Sequence, residues 1–510
     1  MAEQHREISV AEFFEKNRHL LGFSNPQKAI ITCIKEAVDN ALDACEEENI
    51  LPEIHVTIDE VGDEKLRWQV KDNAVGIDKD VIPNIFGKLL YGSKFHKLQQ
   101  SRGQQGIGIS AAGLYAQLTT GNPVKIYSKK KGNEDTHMFK VRIDTQENEP
   151  EIIEDRIVDD YEFEHGTSIE MDVEAKYTRG HHSVKNYLKH TAIMNPYARI
   201  VLTEPDGNTI EFPRVSKDLP PQPKEIKPHP HGVELGVLMR MIRNTDSRTI
   251  KSFMQNEFTR VGRTSADDII EKTELSGKER PSTLEKDQME TLLEAMQSTN
   301  LQNPPTNCLS PIGEDLLERG LKKELNPEFV ASVTRKPSVY RGNPYQIEAA
   351  IAYGGDIKNE GTYNVLRYAN KVPLLYKKSS CATTKAIRDT DWSRYGLSES
   401  GERPQGPVYI LIHMASVWVP FTSEGKEAIA NYPEIVKEMK LAVQDVGRKM
   451  KRHISQKRKE KVRRKKRKKL NAYGQILAPS LARLAGSDEQ QIQENLTEML
   501  HDEYGEPEDA

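Results

Sequence analysis

Long apolar runs are missing from this 510-residue chain. The longest, Val408 to Phe421, is interrupted by His413 and Ser416. It is shorter than the roughly 20 residues a membrane-spanning helix needs, so no membrane span is expected. Cysteine is scarce: Cys33, Cys45, Cys308 and Cys381 are scattered and form no CxxC pair. That argues against a disulfide framework or a zinc finger and for a reducing, cytoplasmic setting. The opening MAEQHREISV lacks the basic start and apolar run of a signal peptide. A Walker A loop is lacking too, since no GxxxxGK[ST] occurs and Gly425-Lys426 has Pro420 where the first glycine belongs.

What is present is charge, unevenly spread. Lys and Arg number 73 against 77 Asp and Glu, a balance of −4. From Arg448 to Lys469, however, 15 of 22 residues are Lys or Arg, with Glu460 the one acid. The rest of the chain holds 58 basic and 76 acidic residues. An acidic body carrying one basic block is not the pattern of a generic electroneutral enzyme. The length suits about three domains.

Alternating and helical periods predict a mixed α/β layer first. It has a helix over 24–48, strands at 53–59, 66–71, 123–128, 137–144 and 167–173, a helix over 182–194, and strands at 198–203 and 209–212. Six prolines between Pro213 and Pro230 mark a boundary, because proline continues neither a helix nor a central strand. Residues 232–325 read as helical. Strand-like runs follow at 345–353, 372–376, 407–412 and 415–420, and a helix from about 424 runs into the basic block. Residues 484–510 carry nine acids and no Lys or Arg, and are expected to be partly disordered.

Three segments carry candidate chemistry. In the helix 30-IITCIKEAVDNALDAC-45, Ile34, Val38, Ala41 and Cys45 form one apolar stripe. Glu36, Asn40 and Asp43 fall on the opposite side, where a carboxylate and a carboxamide one turn apart can converge on a ligand, hold Mg²⁺ or orient a water. The same spacing suits an ordinary amphipathic helix with a wet face. Asp72 ends a strand-like run and opens the turn Asp72-Asn73-Ala74-Val75-Gly76, where a buried acid can accept from an amino group such as adenine's; an Asx turn would look alike. Gly103, Gly106 and Gly108 precede a helix in 102-RGQQGIGISAAGLYAQLTTG-121, the form of a phosphate cradle.

The order Glu36xxxAsn40, Asp72xxxGly76, Gly103xxGlyxGly108 and His165-Gly166-Thr167 resembles the ATP-binding fold of gyrase, heat-shock-90, histidine kinases and MutL. KEAVDNALDAC, YGSKFH, GQQGIGISAAGLY, PHPHG, FTRVG, CLSPIGED, RYANKVPLLY and VPFTSEGKEAI narrow the resemblance to the topoisomerase VI B-subunit family, over about residues 10–470. This implies an α+β multidomain chain. An N-terminal arm (1–20) would precede an ATPase α/β sandwich (21–228), a helical helix–two-turn–helix insertion (229–307), an α/β transducer domain with a long C-terminal helix (308–470), and a tail (471–510) that meets the A subunit.

The resemblance assigns Glu36 as the general base, Asn40 as the Mg²⁺ ligand, Asp72 with Gly76 and Thr167 as the adenine site, and Lys426 as the lysine that reaches the terminal phosphate of ATP. Ser93, Lys94 and the stretch Arg102, Gly103, Gln104, Gln105, Gly106, Ile107, Gly108 and Ile109 match the phosphate lid. The family's Asp-Asn-Gly-Pro-Gly turn here has Ala74 and Val75 in its middle, which keeps the acid but makes the turn less permissive. The implied function is the ATPase subunit of a type IIB DNA topoisomerase. Its implied partners are a second B subunit on ATP binding, duplex DNA, and a cleaving A subunit in an A₂B₂ assembly. Arg448, Lys449, Lys451, Arg452, Lys457, Arg458, Arg463 and Arg464 are the expected DNA contacts. Asp389-Thr390-Asp391 is read as a surface loop, not a cleavage-site metal motif. The competing reading is an ATP-driven DNA clamp or repair factor of the same superfamily.

Overall fold

The computed structural model describes residues 8–18, 22–92, 97–103, 106–159, 161–359, 363–401, 403–423 and 425–504. The N-terminal part contains α1 (Val10–Lys16), α2 (Pro26–Glu47), β1 (Glu53–Gly62), β2 (Lys65–Asp72), α3 (Ile82–Gly87), α4 (Gly108–Thr120), β3 (Val124–Lys129), β4 (Thr136–Asp144), β5 (Glu149–Val158), β6 (Gly166–Glu174), α5 (Val184–Met194), β7 (Arg199–Thr203) and β8 (Thr209–Phe212). The strands form one sheet in the order β5-β4-β3-β6-β2-β1-β7-β8. It is antiparallel except where β1 pairs with β7. Helices α2, α4 and α5 cover one face and share its core. β5 was not expected from the sequence, because its row of Glu149, Glu151, Glu154 and Asp155 hides the alternation and the strand sits exposed at the sheet edge.

α2 begins where Asn25 accepts a hydrogen bond from the Lys28 amide and Pro26 fills the first turn, which needs no proline N–H. The predicted stripe is buried: Ile34, Val38, Ala41 and Cys45 are at most 3% exposed. β2 alternates strictly, with Leu66, Trp68, Val70 and Asp72 facing inward. The strand's period thus carries a carboxylate into a core position.

After the proline-rich segment come α6 (Leu235–Asn244), α7 (Ile250–Glu257), α8 (Arg263–Glu271) and α9 (Lys286–Ser298), which pack around their own core from Val233 to Leu301. The last part holds α10 (Glu314–Leu325), β9 (Phe329–Thr334), β10 (Ser338–Tyr340), β11 (Asn343–Tyr353), β12 (Asn364–Ala369), β13 (Val372–Pro373), α11 (Ala382–Arg388), β14 (Ser398–Glu399), β15 (Pro404–Gln405), β16 (Val408–Ser416), α12 (Pro433–Ala485) and α13 (Glu489–Tyr504). β9 to β13 and β16 build a second sheet.

Three expectations are corrected here. The separate strands at 407–412 and 415–420 are one strand, β16, with the buried His413 and Ser416 hydrogen-bonded inside the sheet layer. The long helix starts at Pro433, not near 424, because proline is accepted at the first helical position. The acidic tail is helical over its described part, 484–504, where partial disorder was expected, and 505–510 lie outside the described residues: α12 runs through the basic block to Ala485, and α13 folds back so that Leu496 meets Gly474. The Asp389-Thr390-Asp391 segment is a loop, with Asp389 paired to Lys385 and Asp391 to Arg394.

Candidate nucleotide site

A cavity of about 750 Å³ opens between α2, the β2 turn, the amino end of α4 and a loop of the second sheet domain. Glu36, Asn40, Asp72, Gly76, Gly103, Gly106, Ile107, Gly108, Ile109, Thr167 and Lys426 all line it. Ser93, Lys94, Gln104 and Gln105 lie outside the described residues.

Each of these groups is placed by a local rule. Asp72 Oδ1 accepts from the amides of Ala74 (2.9 Å) and Thr167 (3.2 Å), which holds one face of the carboxylate. Burial pushes this carboxyl up to about 6, against the pull of those two amides. Asn73 ties the turn down, accepting from the Glu53 amide and donating to the Leu51 carbonyl. Gly76 has φ +74, and a side chain there would run into the Lys129 carbonyl, so its conformation needs glycine. At the other end of the cavity the amino terminus of α4 faces Glu36. A side chain on residue 108 would overlap the Glu36 carboxylate, so Gly108 lets the amino end of α4 and the acid come together.

Glu36 is held between two lysines. Burial resists its ionisation, but Lys35, 2.8 Å away, and Lys426 outweigh it and keep the carboxyl below the usual range. Lys426 reaches the cavity on a loop in the left-handed conformation (φ +50), and burial lowers its pKa although Glu36 opposes this. Its neighbour Glu427 pairs with Lys28 of α2 and with Lys377 (3.0 Å), which fastens the loop to the first domain.

One predicted site residue, Arg102, lies elsewhere, and so does Asp43 from the polar face of α2. Arg102 turns away from the cavity into a closed network, pairing with Asp43 at 2.7 Å and with Glu46, and donating to Asn195 at 2.6 Å. Asp43 is consumed by that pair and does not join Glu36 and Asn40 on the cavity wall. The cause is the path of residues 98–103: Gln100 is clasped by Ser310, and the Ser101 carbonyl by Asn370, so the chain enters under α2 there. Lys371 completes the network, 2.8 Å from Glu46, and its amide donates to His413, which pairs with Glu348 at 2.8 Å. Sequence reasoning missed Lys35, Asp39, Glu46, Lys371 and Glu427. Asp39 had a signal, an acid flanking the apolar stripe; Lys371 and Glu427 had none without the tertiary structure.

Sheet, helical layer and acid-lined cavity together define a nucleotide-binding ATPase module, and residues 25–147 match the family of "Histidine kinase-, DNA gyrase B-, and HSP90-like ATPase". Residues 304–466 match "Topoisomerase VI B subunit, transducer". The chain is 52% identical over 459 residues to the type 2 DNA topoisomerase 6 B subunit of Archaeoglobus fulgidus, covering 90% of this chain and 76% of that one. It is 47% identical over 519 residues to the corresponding protein of Methanococcoides burtonii, covering 100% and 83%. The chain belongs to the family of type 2 DNA topoisomerase 6 B subunits.

Proposed function

We infer that this chain is the ATP-binding and hydrolysing B subunit of a type IIB DNA topoisomerase. The observation that carries the reading is the convergence of Glu36, Asn40, Asp72, the glycine loop and Lys426, from both sheet domains, on one cavity. Asp72 accepts from the adenine amino group. The backbone amides of Gly106 to Ile109 take the phosphates, and Glu36 removes the proton of the attacking water. Lys426 contributes a positive charge on a separate domain, so its pairing depends on whether the terminal phosphate is present.

The donor set fits Mg²⁺. Asn40 offers a neutral oxygen facing Gly103, and Mg²⁺ takes one or two protein ligands with phosphate oxygens and waters. Among the described residues no group of three His, Cys, Asp or Glu forms a metal cage. Bound there, the ion would neutralise phosphate charge.

ATP-driven pairing of two B subunits, with the arm (1–20) helping closure, gates duplex passage, and cutting falls to an A subunit in an A₂B₂ assembly. We assign 21–228, 229–307 and 308–470 as ATPase, helix–two-turn–helix and transducer domains. The reading is supported in the stem by Lys451, Arg452, Arg458 and Arg464, exposed along α12. Arg448, Lys449 and Lys457 are engaged by Asp445, Glu314 and Glu328, which makes them weaker candidates for phosphate. The hairpin of α12 and α13 exposes Ile476, Leu477 and Leu484, a surface suited to the A subunit. No described helix is long and apolar enough to cross a membrane, and a cytoplasmic location fits this role.

The test is ATP-dependent supercoil relaxation with and without the A subunit, run in parallel with Glu36→Ala. The variant is expected to lose hydrolysis while keeping nucleotide-driven dimerisation; wild-type turnover would reject Glu36 as the base. DNA-stimulated hydrolysis that never yields relaxation with any partner would favour the clamp instead. Removing 471–510 is expected to abolish co-purification with the A subunit.

A further inference from the structure

Glu36 is a long side chain at the edge of an open cavity, and a general base works only when its oxygen sits within hydrogen-bond reach of the water's proton. Left alone it would sample several rotamers. Three further side chains prevent this. Lys35 Nζ lies 2.8 Å from Glu36 Oε1 and 3.5 Å from Asp39 Oδ2. Asp39 is buried, and its Oδ1 accepts from the Tyr187 hydroxyl of α5 at 3.1 Å. Glu36 Oε2, the other oxygen, is directed at Gly108 and the amino end of α4. One carboxylate oxygen is therefore tied to an ammonium, while the second faces the place where the phosphates bind.

Lys426 is the other cation facing Glu36, but it comes from the second domain, and in the function proposed above its own partner is the terminal phosphate. Lys35 stands on the same helix as Glu36 and moves with it. Its bridge to Asp39 spans one helical turn, a geometry that fixes both ends of the lysine. Tyr187 anchors Asp39 from a different helix, so the chain Tyr187–Asp39–Lys35–Glu36 is braced against α5 rather than hanging from α2 alone.

We propose that Lys35, braced by Asp39 and Tyr187, is the positioning residue that holds Glu36 with one oxygen turned to the attacking water. The inference rests on the reading of Glu36 as the base. A base displaced by about 1 Å loses on the order of 100-fold in rate without any change in how the nucleotide is held.

The experiment uses the full chain with its A subunit and measures ATP turnover and nucleotide affinity for Lys35→Met, Lys35→Arg, Asp39→Asn, Tyr187→Phe and Glu36→Ala, each checked for an unchanged melting temperature. Lys35→Met is expected to lower kcat by about 10- to 100-fold with KM and ATP affinity within about twofold of wild type. Lys35→Arg, which keeps the charge and the reach, recovers most of kcat. Asp39→Asn and Tyr187→Phe lower kcat in the same sense by less. A wild-type kcat in Lys35→Met overturns the proposal. So does a loss of affinity that matches the loss of kcat, which makes Lys35 a nucleotide ligand, and so does a folded Lys35→Arg no better than Lys35→Met. If Glu36→Ala turns over normally, the base assignment fails; if it is dead while Lys35→Met is normal, only the positioning role fails.

Discussion

Helix α2 carries two polar clusters nearly two turns apart, and they have opposite fates. Glu36 and Asn40 face a cavity of about 750 Å³. Asp43 and Glu46 are met by Arg102 and Lys371 and sealed by Asn195 and Tyr197. Each cluster contains a glutamate; what differs is whether protein partners use up the carboxylate's lone pairs. A carboxylate whose partners come from the fold is structural, and one with an oxygen aimed into a cavity is available to a ligand. The sealed cluster also joins three parts of the molecule: α2, the segment before the glycine loop at Ser101 and Arg102, and the β12–β13 turn at Asn370 and Lys371.

The sharpest way to break this comparison is Arg102→Met. Removing the cation leaves two largely buried carboxylates short of a partner, which costs about 3–5 kcal/mol of stability. The melting temperature should drop markedly, while the protein that remains folded should bind ATP with near wild-type affinity. A stable variant with weakened ATP binding would return Arg102 to the phosphate lid.

Acid separates the cavity, through Asp72, from the sealed cluster by pH. Asp72 has its carboxyl raised to about 6 by burial, so its acceptor form is lost as pH falls through about 6, and nucleotide affinity should weaken there. Burial also works against Glu46, but Arg102 and Lys371 overcome it and hold the carboxyl down at about 2. For an acid with a lowered folded pKa, the stabilisation is complete above the unfolded value near 4.5 and is lost as pH falls towards 2. The amount is on the order of 3 kcal/mol. Titration calorimetry with a nucleotide analogue between pH 7 and 5, followed by unfolding curves between pH 5 and 2, should show binding lost before the fold. Simultaneous loss would mean that the cavity and the sealed cluster are not separate.

Gly108→Ala attacks only the open cluster. The new methyl group overlaps the Glu36 carboxylate, so the side chain must leave its place. Turnover is expected to fall about 100-fold, with the melting temperature little changed. Wild-type turnover would show that Glu36 acts from another position.

How far this division was legible in the sequence differs by element. The apolar stripe of α2 and the alternation of β2 gave the layer, and β2's period even announces Asp72 as the inward residue after Leu66, Trp68 and Val70. The glycine spacing announced the loop. The separation of Asp43 from Glu36 was not legible, because helical geometry puts the two within about 60° of each other, and the resemblance that placed Arg102 with the lid carries no information on its side-chain partners. Only the path of residues 98–103, pinned by Ser310 and Asn370 more than 200 residues away, decides which ligand each acid receives. Contacts of that sequence separation leave no periodic trace. The single strand β16 was split for a related reason, since His413 and Ser416 look like interruptions until their partners Glu348 and Asn370 are in place.

The smallest expected effect decides the comparison most directly. Asp43→Asn preserves the size of the side chain and an oxygen for Arg102, and removes only the charge. Arg102 keeps Glu46 and Asn195, so no buried cation is stranded. A hydrogen bond to a charged group contributes about 1.5–3 kcal/mol and a neutral one about 1. The variant should therefore lose about 1 kcal/mol in stability and nothing in kcat or nucleotide affinity. Asn40→Ala, one turn earlier on the same helix, should do the reverse, lowering turnover with little loss of stability. If Asp43→Asn instead lowers kcat at constant stability, Asp43 belongs with Glu36 and Asn40, and the boundary between the open and sealed halves of α2 lies at least one turn further towards its C-terminus.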